Sequence, residues 1–528
     1  MTAGKVALGK TLFWEEQLSQ TGTVACGTCH RPDAGHSDPR TAIGGEQSTH
    51  PGPDGRLDTR ADNILASPGV ALHSRDGQHQ PSALFGMAVQ VGGRKSPPVT
   101  SAAYAPQLFW DGRATSSFRD PLSGEVLIIN GGALESQSLA PLLDTSEMGH
   151  VGNTISDAVG RLNGVTPLAL ANDIPAALAN WIGGRDYPSL FNEVFGTPAV
   201  TPARIAFALA SYQRALNETT TPLDVELTGT PSLTVQERLG REVFAGMECD
   251  ICHAGVLHTD NSFRYIGVRP VGDDLGRFAL TGDAQDRGAF RTPSLRNVAA
   301  RAPFMHNGGL ATLEQVVDFY VRGGDFDAPN KDPLMHPRAL DPARRQALLA
   351  YMRNALTDPR ISAELPPFDR PTLFSESARV PQIVGAGVGG AAGVPVIGAN
   401  EPPYSRNRKF TITVSGARPG ATATLIVSRV DPGVHRTLPS GGVARIETDV
   451  QTGNAVSGGY ASVQLNLASQ PALAGETLFG RFYIDDPTAA GGLAVTRAFR
   501  IEVFGANAAV PALRQLRTEL QDRFRPRP

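Results

Sequence analysis

Apolar residues recur at helical spacing near the start of the chain, where Leu8, Leu12 and Phe13 follow Lys5-Val6-Ala7, and again around 155–163, 174–182 and 202–216. Two later helices are better signalled. Thr312 with Gln315 forms a capping box, and Leu313, Val316, Val317 and Tyr320 then share one face. Asp341-Pro342 supplies an N-cap and first-turn pair, with Leu348, Leu349 and Met352 lining the face behind it. Between the early and middle helices, residues 37–93 are rich in Gly, Pro, Asp and His and show no period, which predicts a long loop. The pattern changes after 360. Residues 361–404 are rich in Pro, Gly and Ala, including the run from Val384 to Gly393, and read as a linker. Beyond them the period becomes two: Phe410, Ile412 and Val414 alternate with Thr411 and Thr413. Further strand candidates are Leu425–Val427, Val463–Leu467, Phe479–Ile484 and Phe499–Val503.

These patterns predict a multidomain chain. Helical regions at 1–160 and 161–360 precede the linker, an all-β, immunoglobulin-like sandwich occupies 405–506, and a tail at 507–528 holds a short helix over 511–524. With 41% apolar residues, the 528-residue chain has material for several cores. Net charge is −3, from 48 basic and 51 acidic residues, which excludes a nucleic-acid or membrane-surface binder built on bulk charge. No apolar run reaches the roughly 18–20 residues that span a bilayer. No export signal is visible, so Met1 reads as the start of a processed or trimmed form of an exported chain.

The cysteines narrow the reading. All four fall in Cys26-Gly-Thr-Cys29-His30 and Cys249-Asp-Ile-Cys252-His253. This is the haem c attachment pattern: two thiols add across the two vinyl groups of one porphyrin, and the next residue sets an imidazole beneath the iron. A zinc site would require another nearby ligand pair, and a redox dithiol has no use for the histidine. Two covalent haem c groups are therefore expected, with Cys26, Cys29, His30, Cys249, Cys252 and His253 as attachment residues and His30 and His253 as iron ligands. Leu8-Gly9-Lys10-Thr11-Leu12-Phe13 before the first site is echoed by Leu239-Gly240-Arg241-Glu242-Val243-Phe244 before the second, which suggests a duplicated haem domain. Haem c is attached after export in bacteria, so the expected compartment is the periplasm.

With these residues in view, residues 5–358 resemble the bacterial di-haem cytochrome c peroxidase/MauG family. Besides the two attachment sites, the resemblance rests on Leu8–Phe13 with Leu18-Ser19, Leu108–Arg113, Pro141–Gly149, Phe290–Asn297, Pro303–Gly308 and Thr312–Glu314. It implies a peroxide-reacting haem on His30 and an electron-relaying haem on His253. Trp110 matches the tryptophan between the haems, Glu147 the acid–base residue of the peroxide pocket, and Gln137 that pocket's second polar residue. Fourteen residues after His306, where typical peroxidases place a methionine ligand, stands Tyr320, as in MauG; a phenolate favours ferric and higher states. Met305, Met335 and His336 are rival ligands. At the first iron an open, five-coordinate state is expected; Met87, or His50, His73 or His79 from the loop, are the alternatives, although loop histidines are usually solvated. The family also binds calcium between its domains through an asparagine and two backbone carbonyls. Here the asparagine position is Lys95, the carbonyls would belong to Arg301 and Pro303, and an ammonium there speaks against calcium.

The expected function is peroxide-dependent oxidation. Tyr320 favours MauG-like oxidation of a protein or other substrate over plain peroxide detoxification with electrons from a small redox protein. A non-catalytic electron carrier is the reading from another class, and the Glu147/Gln137 pair argues against it. The sandwich carries no metal, cysteine or aromatic-platform motif; docking to an unspecified partner, or stability, is its expected role.

Overall fold

A computed structural model describes the chain except residues 44–45, 58–61, 440–443, 448, 451–458 and 506–528. The expected helix at 511–524 and tail at 507–528 lie outside the described residues. Two units are distinguished, one running from Met1 to Ala378 and the other beginning at Arg379.

The first unit has two helical cores assembled in the same way. The Ala3–Phe13 helix, capped by Thr2, packs along the Pro202–Ala215 helix, which starts at the Thr201 cap with Pro202 in its first turn. The Val235–Gly246 helix packs along the Pro342–Ala350 helix, capped by Asp341. Each crossing depends on a glycine. A Cβ on Gly9 would overlap the carbonyl of Ala208 and the Cβ of Tyr212; one on Gly240 would overlap the carbonyl of Ala347 and the Cβ of Tyr351. The Leu-Gly-basic echo is thus a close-packing requirement met twice. The capping box at Thr312 forms as expected and opens the Leu313–Arg322 helix.

Two boundaries differ from the expectation. The first core gathers Leu8, Leu12 and Phe13 with Ile205, Leu209 and Tyr212, while the second begins at Leu223. The division therefore falls after Leu216 and not at 160, because the Ala3–Phe13 helix needs its partner across the glycine contact. Residues 361–404 are not a linker. Ile361, Phe368 and Leu373 join the first core. The buried Glu16 carboxyl accepts the N–H groups of Phe374 (2.7 Å) and Ser375 (3.2 Å). Gln382–Val384 and Val396–Gly398 are strands of the second unit. The loop at 37–93 is shaped by two short antiparallel pairs, Thr49–His50 with Ile64–Leu65 and Pro68–Ala71 with Val89–Val91.

The second unit consists of two antiparallel sheets sharing one core. One runs in the order Val396–Gly398, Phe410–Ala417, Gly459–Leu465, Asp449–Val450. The other runs Ala444–Glu447, Thr422–Ser428, Thr477–Asp485, Ala498–Glu502, Gln382–Val384, with Leu493–Val495 also paired to Thr477–Asp485. Phe410, Ile412 and Val414 meet Leu425, Phe482 and Ile484 in the core. The alternating Thr411 and Thr413 are buried as well, and the Thr411 N–H bonds to Glu401 (3.0 Å). Buried Arg481 holds Asp431 (2.6 Å) and the carbonyls of Ala386 (2.6 Å) and Thr496 (2.7 Å), which fastens the segment before Val396 to the sheet. Among the described residues no helix is long and apolar enough to cross a membrane.

Candidate haem-binding active site

Each cysteine pair forms a single helical turn, Cys26–Cys29 and Cys249–Cys252, and no disulfide closes either pair. The chain then reverses through a left-handed histidine, His36 (φ 61°) after the first site and His258 (φ 52°) after the second. That turn returns a carbonyl to the ligand histidine. Nδ1 of His30 lies 3.2 Å from the His36 carbonyl oxygen, and Nδ1 of His253 lies 3.0 Å from that of His258. With Nδ1 donating to a carbonyl, Nε2 of each ring would be the atom left to ligate iron, the usual outer-shell arrangement for a metal-bound histidine. Burial holds both imidazoles below the usual histidine range, hence neutral. Burial also pushes the thiols of Cys26, Cys29 and Cys249 up to about 12, so none is a reactive thiolate. Among the described residues no three His, Cys, Asp or Glu side chains cluster as a metal site. These cradles suit a porphyrin joined through thioethers better than zinc or a redox dithiol.

The first cavity is walled by Cys26, Cys29, His30, Gln137, Glu147 and Gln213. Gln137 stands on the Ala133–Ser138 helix and Glu147 follows the turn at Asp144, whose carbonyl receives the Glu147 N–H (3.3 Å). Desolvation, with the charge of Asp144 adding and that of Arg113 opposing, pushes the Glu147 carboxyl up to about 7. Both polar residues expected of a peroxide pocket are therefore brought together beside His30.

The second cavity contains Cys249, Cys252 and His253 within a largely apolar wall. Tyr320 on the Leu313–Arg322 helix faces it, as do Met305, Met335 and Met352. Burial raises the Tyr320 phenol above its ordinary range. His336 drops out as a rival ligand: it is exposed, stands outside this wall, and its Nε2 lies 3.6 Å from Glu248. Met352, read from the sequence only as a core position, is an additional thioether there.

Trp110 lines both the second cavity and the space around His30. Its indole Nε1 donates to the Lys95 carbonyl (2.7 Å), its own carbonyl accepts from Arg291 N (2.8 Å), and its ring meets His306 edge-on at 6.3 Å. His306 in turn stacks on Phe290 at 3.7 Å. Arg94 braces this wall, bonding Asp111 (2.6 Å) and both oxygens of Asp274 (2.6 and 2.7 Å). The sequence reading missed the roles of Arg94, Asp274 and Gln213, because their partners are remote in the chain.

The loop histidines depart from expectation. His73 and His79 are buried, 2% and 8% exposed, and stack on each other at 4.9 Å, outside the cavity walls. His50 is half-buried and lines the space near His30. Met87 is buried away from both cavities.

Known proteins of similar sequence and fold carry two such sites. Residues 3–232 match the family model described as di-haem cytochrome c peroxidase. The methylamine utilization protein MauG of Methylorubrum extorquens is 29% identical over 364 residues, covering 68% of this chain and 80% of that protein. The cytochrome c551 peroxidase of Nitrosomonas europaea is 26% identical over 321 residues, covering 60% and 72%. A solved structure described as a MauG-like protein associated with microbial copper homeostasis superposes with a TM-score of 0.50 at 25% identity, covering 72% of this chain and 94% of that one. Over residues 3–232 the chain is therefore similar to the di-haem cytochrome c peroxidase family, whose members carry two c-type haems and take hydrogen peroxide as oxidant.

Proposed function

We propose that this protein is a periplasmic oxidoreductase in which the site at His30 reacts with hydrogen peroxide and the site at His253, ligated by Tyr320, relays charge through Trp110 to oxidise a protein or other substrate in the manner of MauG. Haem c held by Cys26, Cys29 and His30, and by Cys249, Cys252 and His253, supplies the redox chemistry. With its carboxyl near neutral pH, Glu147 accepts a proton from one peroxide oxygen and returns it to the other. Gln137 presents a donor and an acceptor to the same space and orients the oxidant. The Trp110 N–H donates to the Lys95 carbonyl, an acceptor too weakly basic to take the proton, so the indole passes charge while keeping its proton. The observation that carries the MauG-like reading is the Tyr320 phenol in the wall that holds His253. The strand order of the second unit supports an immunoglobulin-like sandwich, which we assign to docking or stability.

The test is an optical and EPR spectrum of the matured ferric protein before and after one equivalent of peroxide. High-spin plus low-spin signals and a long-lived charge-resonance absorption, abolished in Tyr320→Met, are the expected result. Rapid peroxide turnover with a reduced small cytochrome, without that absorption, would establish a plain peroxidase. Two low-spin haems inert to peroxide would establish an electron carrier.

A further inference from the structure

Lys95 is 4% exposed, an unusual place for an ammonium. Its Nζ donates to the Ser37 hydroxyl. Its backbone N–H donates to the His306 carbonyl (2.8 Å), and its carbonyl receives the Trp110 indole N–H (2.7 Å). Ser37 directly follows His36, whose carbonyl anchors His30. His306 belongs to the wall of the second cavity. One residue thus ties together the anchor loop of the first site, the wall of the second, and the indole that both share.

The family resemblance places a divalent cation at this junction, and the residues present do not fit one. Calcium requires six to eight oxygen ligands. The side chain at position 95 offers no oxygen, and its charge feels the nearby guanidinium of Arg301. Arg301 is itself buried, with Nε on the Gly35 carbonyl (3.1 Å) and Nη1 on the Ser294 carbonyl (2.8 Å), and its acid partner, Glu218 (3.5 Å), is shared with Arg296. The compensating acid felt by Lys95 is Asp38, already paired to Arg40. A further double positive charge would meet two cations in a poorly solvated space.

We propose that the Lys95 ammonium is the resident cation of the junction between the two haem sites, a tethered single charge in place of a bound divalent ion. Burial and Arg301 pull its pKa down to about 8, which still leaves it mainly protonated at neutral pH. A fixed positive charge favours the more reduced state of a neighbouring redox group, so it raises the reduction potential. Unlike a bound ion, it cannot be removed by a chelator. The proposal rests on the two haem sites but not on the MauG-like reading, since its readouts are taken before peroxide is added.

The experiment uses the fully matured protein, incubated with excess calcium, dialysed and assayed for metal, then titrated redox-optically with and without EDTA. Expected are far less than one equivalent of calcium and midpoint potentials indifferent to EDTA. Lys95→Met, which deletes the charge and keeps the aliphatic stem, is expected to lower the potential of at least one haem. Ser37→Ala, which deletes the hydroxyl and keeps the charge, leaves both potentials in place. One tightly held equivalent of calcium in the unaltered protein, or potentials unchanged in Lys95→Met, would overturn the proposal.

Discussion

The two attachment sites share their proximal construction and differ in what faces them. Each has a helix-crossing glycine, a left-handed histidine whose carbonyl orients the ligand imidazole, and a tyrosine packed beneath (Tyr212 or Tyr351). Even the tyrosines diverge in bonding: Tyr212 receives the Trp14 N–H (3.4 Å), whereas Tyr351 bonds the His258 imidazole (2.8 Å). Across each cavity the residues singled out differ in kind. Glu147 and Gln137 face the first site; Tyr320, Met305 and Met335 face the second. The duplicated scaffold would hold the haem in the same way at each site, and the unduplicated walls are what set the two sites apart.

Breaking the first wall should have the largest effect. Glu147→Gln removes the proton carrier and should slow the reaction with peroxide by about 10²–10⁴-fold, measured by stopped flow, with both Soret bands intact. The dependence on pH sharpens this. The unaltered rate should change around pH 7, where Glu147 titrates, and the variant should lack that inflection. Breaking the scaffold under the second site comes next. Gly240→Ala forces a methyl group into the Ala347 carbonyl and should cost about 1–3 kcal/mol in denaturant titration, with the second site's Soret band perturbed at lower denaturant than the first's. The smallest signal concerns the first site's scaffold alone. The Glu16 carboxyl is pushed up to about 8 from 4.5 by burial. The folded chain therefore holds a proton that the unfolded chain releases across that window. Stability associated with Glu16 is fully present below about 4.5 and declines as pH rises toward about 8. Glu16→Gln should flatten this slope, read from unfolding midpoints between those limits, and leave the second site's spectrum unchanged.

What the sequence disclosed follows from the range of the interactions involved. The attachment sites were legible because the chemistry requires adjacent residues, and the caps at Thr312 and Asp341 because their bonds reach only two or three positions. Glu147, Gln137 and Trp110 could be placed only through resemblance; nothing local distinguishes them from surface or core residues. The segment at 361–404 was misread because its Gly and Pro content reports a capacity to turn, whereas its strand partner for Gln382–Val384 is Ala498–Glu502, far along the chain. The pairing of His73 with His79, offered by the sequence only as alternative iron ligands in a loop, was hidden for the same reason: a stacked pair inside a loop leaves no periodic trace.

The order of these partners along the chain has a consequence for assembly. Trp14 and Tyr212 lie 198 positions apart, and Glu16 and Phe374 lie 358 apart. A chain emerging from its N-terminus therefore presents Cys26 and Cys29 long before the helix and strap that enclose them exist. The second pair, by contrast, meets its Pro342–Ala350 helix after a much shorter delay. The first thiols thus face the longer wait for burial, and with it the longer interval during which porphyrin attachment must outrun adventitious oxidation.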